Sequence, residues 1–327
     1  MSNIFNRFFY GKSGKADYTE ANMPKNRWEL FWQTFRNHSS GIVGMNLIYV
    51  LFLLPAIIWT AINLLGVLNA LSGVGETMAS ATEISSESAQ TVYSALMGYM
   101  TTYLLGMIPC LALAGVGSTG QMYVLRNWAR DDHSFVVSDF KDAVSSNWKM
   151  GLLTGILNGA SLFLAFIGVR VYGSLTNNSL FYVVPQMIVL ICLAVWWMVN
   201  MIIFPMMVTY DMKFTQIIRN CVIVVLARLP WSILFLLLSF VPLGILWVCV
   251  SEFGFGAIIV GVLYYLLFGF GLNGLIYASY ANSCFDCYIN PRLDGVELNK
   301  GLRPKDYDLD DDEEEEQNNT AGGSRNG

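Results

Sequence analysis

Two cysteines three residues apart, Cys284-Phe-Asp-Cys287, form the pair whose spacing best suits redox or metal chemistry. A zinc site would need a second pair or nearby histidines, and the sequence holds only His38 and His133. The pair therefore reads as ordinary cysteines beside a membrane span. Gly115-Val-Gly-Ser-Thr-Gly120 has the glycine density of a phosphate cradle, but no lysine follows and no strand-like run precedes it. Its glycines read instead as a close approach of two backbones, or as a helix break covered by protein. Asp131, Asp132, His133 and Asp139 carry acid–base potential, yet they read more simply as a solvated turn and a helix cap.

These groups must be placed by elements whose nature the composition dictates. The chain has 327 residues, 54% hydrophobic and 13% charged. Soluble domains carry about 25% charged residues, so half the usual charge is missing. It is missing from particular places: residues 37–75, 88–125, 150–169, 171–210, 229–251 and 253–285 contain no Asp, Glu, Lys or Arg. About 20 apolar residues cross a bilayer core, and soluble helices need a polar face that these runs lack. The expected fold is an all-α, polytopic membrane bundle with spans near 42–65, 93–114, 151–169, 181–208, 230–250 and 255–281.

No Asp, Glu or His falls inside these spans. Intramembrane hydrolysis lacks its acids and bases, and cation-coupled transport lacks the buried carboxylates it commonly uses. The polar groups that remain are neutral: Asn46, Asn63, Asn158, Gln186, Asn200 and Asn273. Each can bond one helix to another. Collectively, Asn46, Asn158, Gln186, Asn200 and Asn273 could also line a sugar-sized cavity. No catalytic residue, metal ligand or cofactor is expected, and no basic patch points to nucleic acid.

Residues 1–40 read as a cytoplasmic segment rather than a cleaved signal. Within it, Trp28, Phe31, Trp32 and Phe35 recur at one helical face. Such a helix either lies in the headgroup layer with its rings toward the acyl chains or packs on the protein's own spans. Between spans 2 and 3, Ser138 is a candidate N-cap, with Asp139 and Asp142 in the first turn. Phe140, Ala143, Val144 and Trp148 then share an apolar face, which predicts a short elbow helix along the inner surface. A second elbow follows span 4, with Phe214, Ile217, Ile218, Cys221, Val222 and Val225 on one face. Residues 286–327 read as an acidic, disordered cytoplasmic tail ending beyond Asp308–Glu316.

Charge placement sets the topology. Six Lys or Arg precede span 1, four lie in the first elbow, three in the second and five after span 6. Only Arg170 stands on the other side. The positive-inside rule makes the crowded side, and both termini, cytoplasmic.

The order Pro109 … Gly115-Val-Gly-Ser-Thr-Gly-Gln-Met-Tyr-Val-Leu-Arg126, then Val137-Ser-Asp139-Phe140-Lys141, then Asn147-Trp148-Lys149, resembles the YesL-like family of bacterial membrane proteins. Phe204-Pro205-Met-Met-Val-Thr-Tyr210 and Asn46-Leu-Ile-Tyr-Val-Leu-Phe-Leu-Leu-Pro55 resemble further segments of that family. Ala56–Met107 is an insertion relative to its shorter members. The resemblance makes Pro109, Gly115, Gly117, Thr119, Arg126, Asp139, Phe140 and Pro205 structural motif residues. It implies a multi-pass protein of the bacterial plasma membrane, associated with carbohydrate ABC importer or sensor subunits, and it supplies no catalytic residues. The function expected is a non-enzymatic accessory or scaffold component of carbohydrate uptake or its sensing. The alternative is a facilitator or transporter for a small neutral solute, and a membrane enzyme is the third reading.

Overall fold

The structure is a computed structural model that describes residues 23–80, 86–176 and 179–304. Ile4, Phe5, Phe8 and Phe9, an apolar and aromatic cluster in the sequence, and the acidic run Asp308–Glu316 lie outside the described residues. The helices are α1 (Arg27–Asn37), α2 (Ser39–Ser80), α3 (Ser86–Trp128), α4 (Val136–Thr176) and α5 (Val183–Met207). They continue as α6 (Phe214–Ala227), α7 (Leu229–Phe253), α8 (Phe255–Tyr264) and α9 (Phe270–Tyr288), with one π-helical turn, Tyr265–Gly269, joining α8 to α9. No strand occurs among the described residues. Among the described residues, six segments are long and apolar enough to cross a membrane: those of α2, α3, α4, α5, α7, and α8 with α9. The protein is an all-α polytopic helical bundle.

α2, α3 and α4 have 42, 43 and 41 residues. At 1.5 Å per residue each is about 60 Å long, twice the hydrocarbon thickness. Two sequence expectations are corrected here. The elbow over 138–149 is not a separate surface helix, because α4 runs unbroken from Val136 to Thr176. Nor does α3 break at its glycines. Both helices continue because each is held by the other along its length. A Cβ on Gly115 would stand 2.3 Å from the Gly151 carbonyl oxygen, and one on Gly155 would stand 2.1 Å from that of Leu111. A Cβ on Gly159 would meet the Ile108 Cα at 2.7 Å. Gly151, Gly155 and Gly159 recur every fourth residue, so one stripe of α4 presents bare backbone to α3. That contact satisfies the close-approach reading of Gly115 and excludes the helix-break reading.

The start of α4 also moves. The helix begins before Ser138, and Asp139 carries the cap, accepting from the Ser134 hydroxyl at 2.6 Å and the Phe135 N–H at 2.9 Å. Phe140 and Ala143 are buried as expected, whereas Trp148 is exposed, with the Lys149 ammonium 5.6 Å from its ring centre. The second elbow is a separate helix, α6, and it buries Ile217, Cys221, Val224 and Val225. In α1, Phe31 and Phe35 pack on the core while Trp28 and Trp32 stay exposed. The packing alternative therefore holds for Phe31 and Phe35, while Trp28 and Trp32 face away from the core.

Tight packing gathers at the charged end of the bundle. Ile42 and Met45 of α2, Leu125 of α3, Met201 to Met207 of α5, Ile217 of α6 and Phe285 of α9 meet there. In contrast α7 buries only Ser232 and Ser239 and presents Trp231, Leu234, Leu237 and Trp247 outward. Those side chains suit a lipid surface. The chain after α9 differs from the sequence reading of residues 286–327 as a disordered tail. The segment 289–304 is folded back, and the Arg303 N–H donates to the Pro24 carbonyl at 2.9 Å.

Candidate functional site

The five candidate cavity residues do not converge. Asn46, fully buried, donates to the carbonyls of Tyr265 and Leu266 at 2.9 and 2.6 Å and accepts from the Gly271 N–H at 2.7 Å. One amide side chain thus bonds three backbone groups at the π-turn and the start of α9. Asn158 of α4 accepts from the Trp196 indole of α5 at 2.9 Å, and Asn200 donates to the Trp196 carbonyl at 2.9 Å. Asn273 of α9 reaches the Ser239 carbonyl of α7 at 3.4 Å. Gln186 of α5 lies beside Gly173 of α4. The bonds run within and between helices, and the five residues are spread over four of them. None of the five lines the three grooves described below.

The residues singled out by the sequence resemblance divide in the same way. Gly115, Gly117 and Thr119 lie in helix contacts, with Phe52 against Gly117 and Phe140 against Gly120. Pro109 and Pro205 lie inside α3 and α5. Arg126 donates to Asn127 at 3.0 Å, and its backbone carbonyl accepts from Asn282 of α9 at 3.2 Å. Its Nε is buried and has no hydrogen-bond partner among the described residues.

The most built polar cluster centres on a residue the sequence reading passed over, Asp286, which lies between the two cysteines of the CxxC pair. Its side chain is 4% exposed. It pairs with Arg27 of α1 and, at 3.5 Å, with Arg130 after α3. Asn290 donates to it at 2.5 Å, and the Tyr210 hydroxyl donates to Asn290 at 2.5 Å. Arg130 also donates to the Glu297 carbonyl at 2.9 Å, and Lys300 pairs with Asp132 at 2.6 Å. Burial pushes the Tyr210 hydroxyl up to about 12, so it stays a neutral donor. Nearby, the His38 ring stacks on Trp128 with centres 4.6 Å apart. Burial lowers its pKa, Asp131 opposes that, and His133 adds to it.

This cluster joins four stretches that the charge count placed on one side: the segment before span 1, both elbows and the segment after span 6. A carboxylate ending a 33-residue charge-free run was the available sequence signal. Cys284 is buried, Cys287 is exposed, and both are free.

Among the described residues, the grooves on the apolar surface include the following three. One is between α7 and α8, lined by Leu246, Cys249 and Tyr264, and one between α4 and α5, lined by Leu157, Cys192 and Trp196. The third, of about 460 Å³, lies between α1, α7 and α9 and differs from the others in having arginines, Arg27 and Arg228, in its wall.

The fold and these sites define a multi-pass α-helical membrane protein with a charged, well-packed end. No protein family, characterised protein or solved structure matches the chain.

Proposed function

We propose that this chain is a non-enzymatic accessory or scaffold protein of the bacterial plasma membrane, with its charged end cytoplasmic. The observation that carries the reading is the construction of that end. Asp286 ties α1, the α3–α4 turn and the returning chain into one unit. On its outer surface the turn into α4 exposes Phe135 (78%) and Val137 (70%), beside Asp139 and Lys141. Exposed apolar side chains rimmed by charge suit a protein partner. Asn46, Asn158 and Asn273 each bond to a separate element, and the five candidate amides do not converge, which supports a scaffold over a solute pathway. The resemblance to the YesL-like family directs the choice of partner to carbohydrate importer or sensor subunits.

The test is site-specific photo-crosslinking from positions 135 and 137 in native membranes, with Leu105 as a lipid-facing control. Adducts to importer or sensor subunits from 135 and 137, absent at 105, are expected. Adducts to lipid alone at all three positions overturn the proposal.

A further inference from the structure

We infer that the groove between α1, α7 and α9 is a binding site for an anionic glycerophospholipid of the adjoining leaflet, an inference independent of the scaffold reading. One wall comes from α7, where Trp231, Phe235 and Leu238 follow Arg228 on one helical face. The facing wall comes from Ile276 and Leu272 of α9. From Arg228 to Leu238 the apolar track is about 15 Å long at helical rise, enough for a large part of one acyl chain. Trp28 and Trp32 of α1, 63% and 46% exposed, close the groove at the level where tryptophans favour the membrane–water boundary.

The polar end supplies the specificity. Arg228 sits at the joint just before span α7, where a headgroup phosphate would lie. It donates to the Ser283 hydroxyl at 3.1 Å and to the Cys284 sulfur at 3.7 Å, and no carboxylate pairs with it among the described residues. Arg27 enters the same wall. Its Nη2 is engaged by Asp286, while its Nη1 is buried and has no hydrogen-bond partner among the described residues. Ser279 and Ser283, one turn apart, complete the lining at this end, and no acidic side chain belongs to it. Two guanidinium groups above an apolar slot opening to lipid match a phosphodiester carrying acyl chains. A basic pocket between membrane helices is a recurrent form of such recognition. A zwitterionic lipid fits the slot equally well but gains less, because its cationic headgroup opposes the two arginines.

The experiment is native mass spectrometry of the full-length protein in mild detergent, incubated with equimolar phosphatidylglycerol and phosphatidylcholine. The wild type is expected to retain phosphatidylglycerol in preference. Arg228→Gln lowers that preference about five-fold, the effect of removing one interfacial positive charge, whereas Arg228→Lys preserves most of it. Ile276→Trp, which fills the slot, lowers retention of both lipids, and Leu105→Trp, on an exposed surface of α3 outside the groove, changes neither. Equal retention of the two lipids by the wild type overturns the inference. So does a preference unchanged in both Arg228→Gln and Ile276→Trp.

Discussion

Asn46 accepts a hydrogen bond from the Gly271 N–H at 2.7 Å across 225 residues of sequence. The same amide donates to the carbonyls of Tyr265 and Leu266, so it closes the backbone where α8 passes through the π-turn into α9. Asn46→Leu removes all three of these bonds. The expected loss is about 2 kcal/mol, between the typical single interhelical bond in membranes and the full cost of buried unsatisfied groups. A lowered thermal midpoint of the detergent-purified protein would register it. An unchanged midpoint would show that Asn46 is dispensable there.

The α3–α4 contact predicts opposite outcomes for two chemically identical changes. Gly155→Ala places a methyl against backbone atoms of Leu111 and Ala112, and backbone cannot rotate away. A destabilisation of about 1–3 kcal/mol is expected from overpacking. Gly98→Ala meets nothing within 4 Å and should be neutral or slightly stabilising, since alanine favours a helix over glycine. Paired unfolding measurements in detergent decide it.

Asp286→Asn removes the charge that Arg27 and Arg130 share. Breaking a buried pair by neutralising one partner costs about 3–5 kcal/mol. The segment 289–304 should become protease-sensitive, because Asn290 and Arg130 hold it through Asp286. Lys300→Gln touches a pair whose side chains are 38% and 30% exposed, so it should cost no more than about 1 kcal/mol.

The pKa of His38 lies below its ordinary value because of burial. A base with a lowered folded-state pKa binds more protons unfolded, so its stabilising share is intact at higher pH. It is lost as pH falls through the ordinary histidine value toward the depressed one. Between roughly pH 8 and pH 5 the stability advantage of wild type over His38→Gln should shrink. An advantage that grows on acidification would contradict the stacked, neutral imidazole over Trp128.

Orientation follows from charge. In a cysteine-free background, Asp142→Cys should escape an impermeant thiol reagent added to intact cells, and Ser174→Cys should react. The reverse pattern would place the Asp286 cluster outside the cell.

The sequence alone determined that the chain is a helical membrane protein with six spans, because hydropathy and helix length are properties of consecutive residues. It also placed α1, both elbows and the post-span segment on one side, since charge cannot cross the hydrocarbon cheaply. Even α6, with its Ile217–Cys221–Val225 face, was legible from period alone. Only the tertiary structure decided that α4 runs straight through Met150, that the Gly151–Gly159 stripe meets Gly115, and that Asn46 serves the π-turn rather than a cavity. It alone brought Asp286, unremarkable between two cysteines, to Arg27 and Arg130. The reason is that a partner choice depends on how helices cross, and crossing is fixed by contacts between residues far apart in the chain.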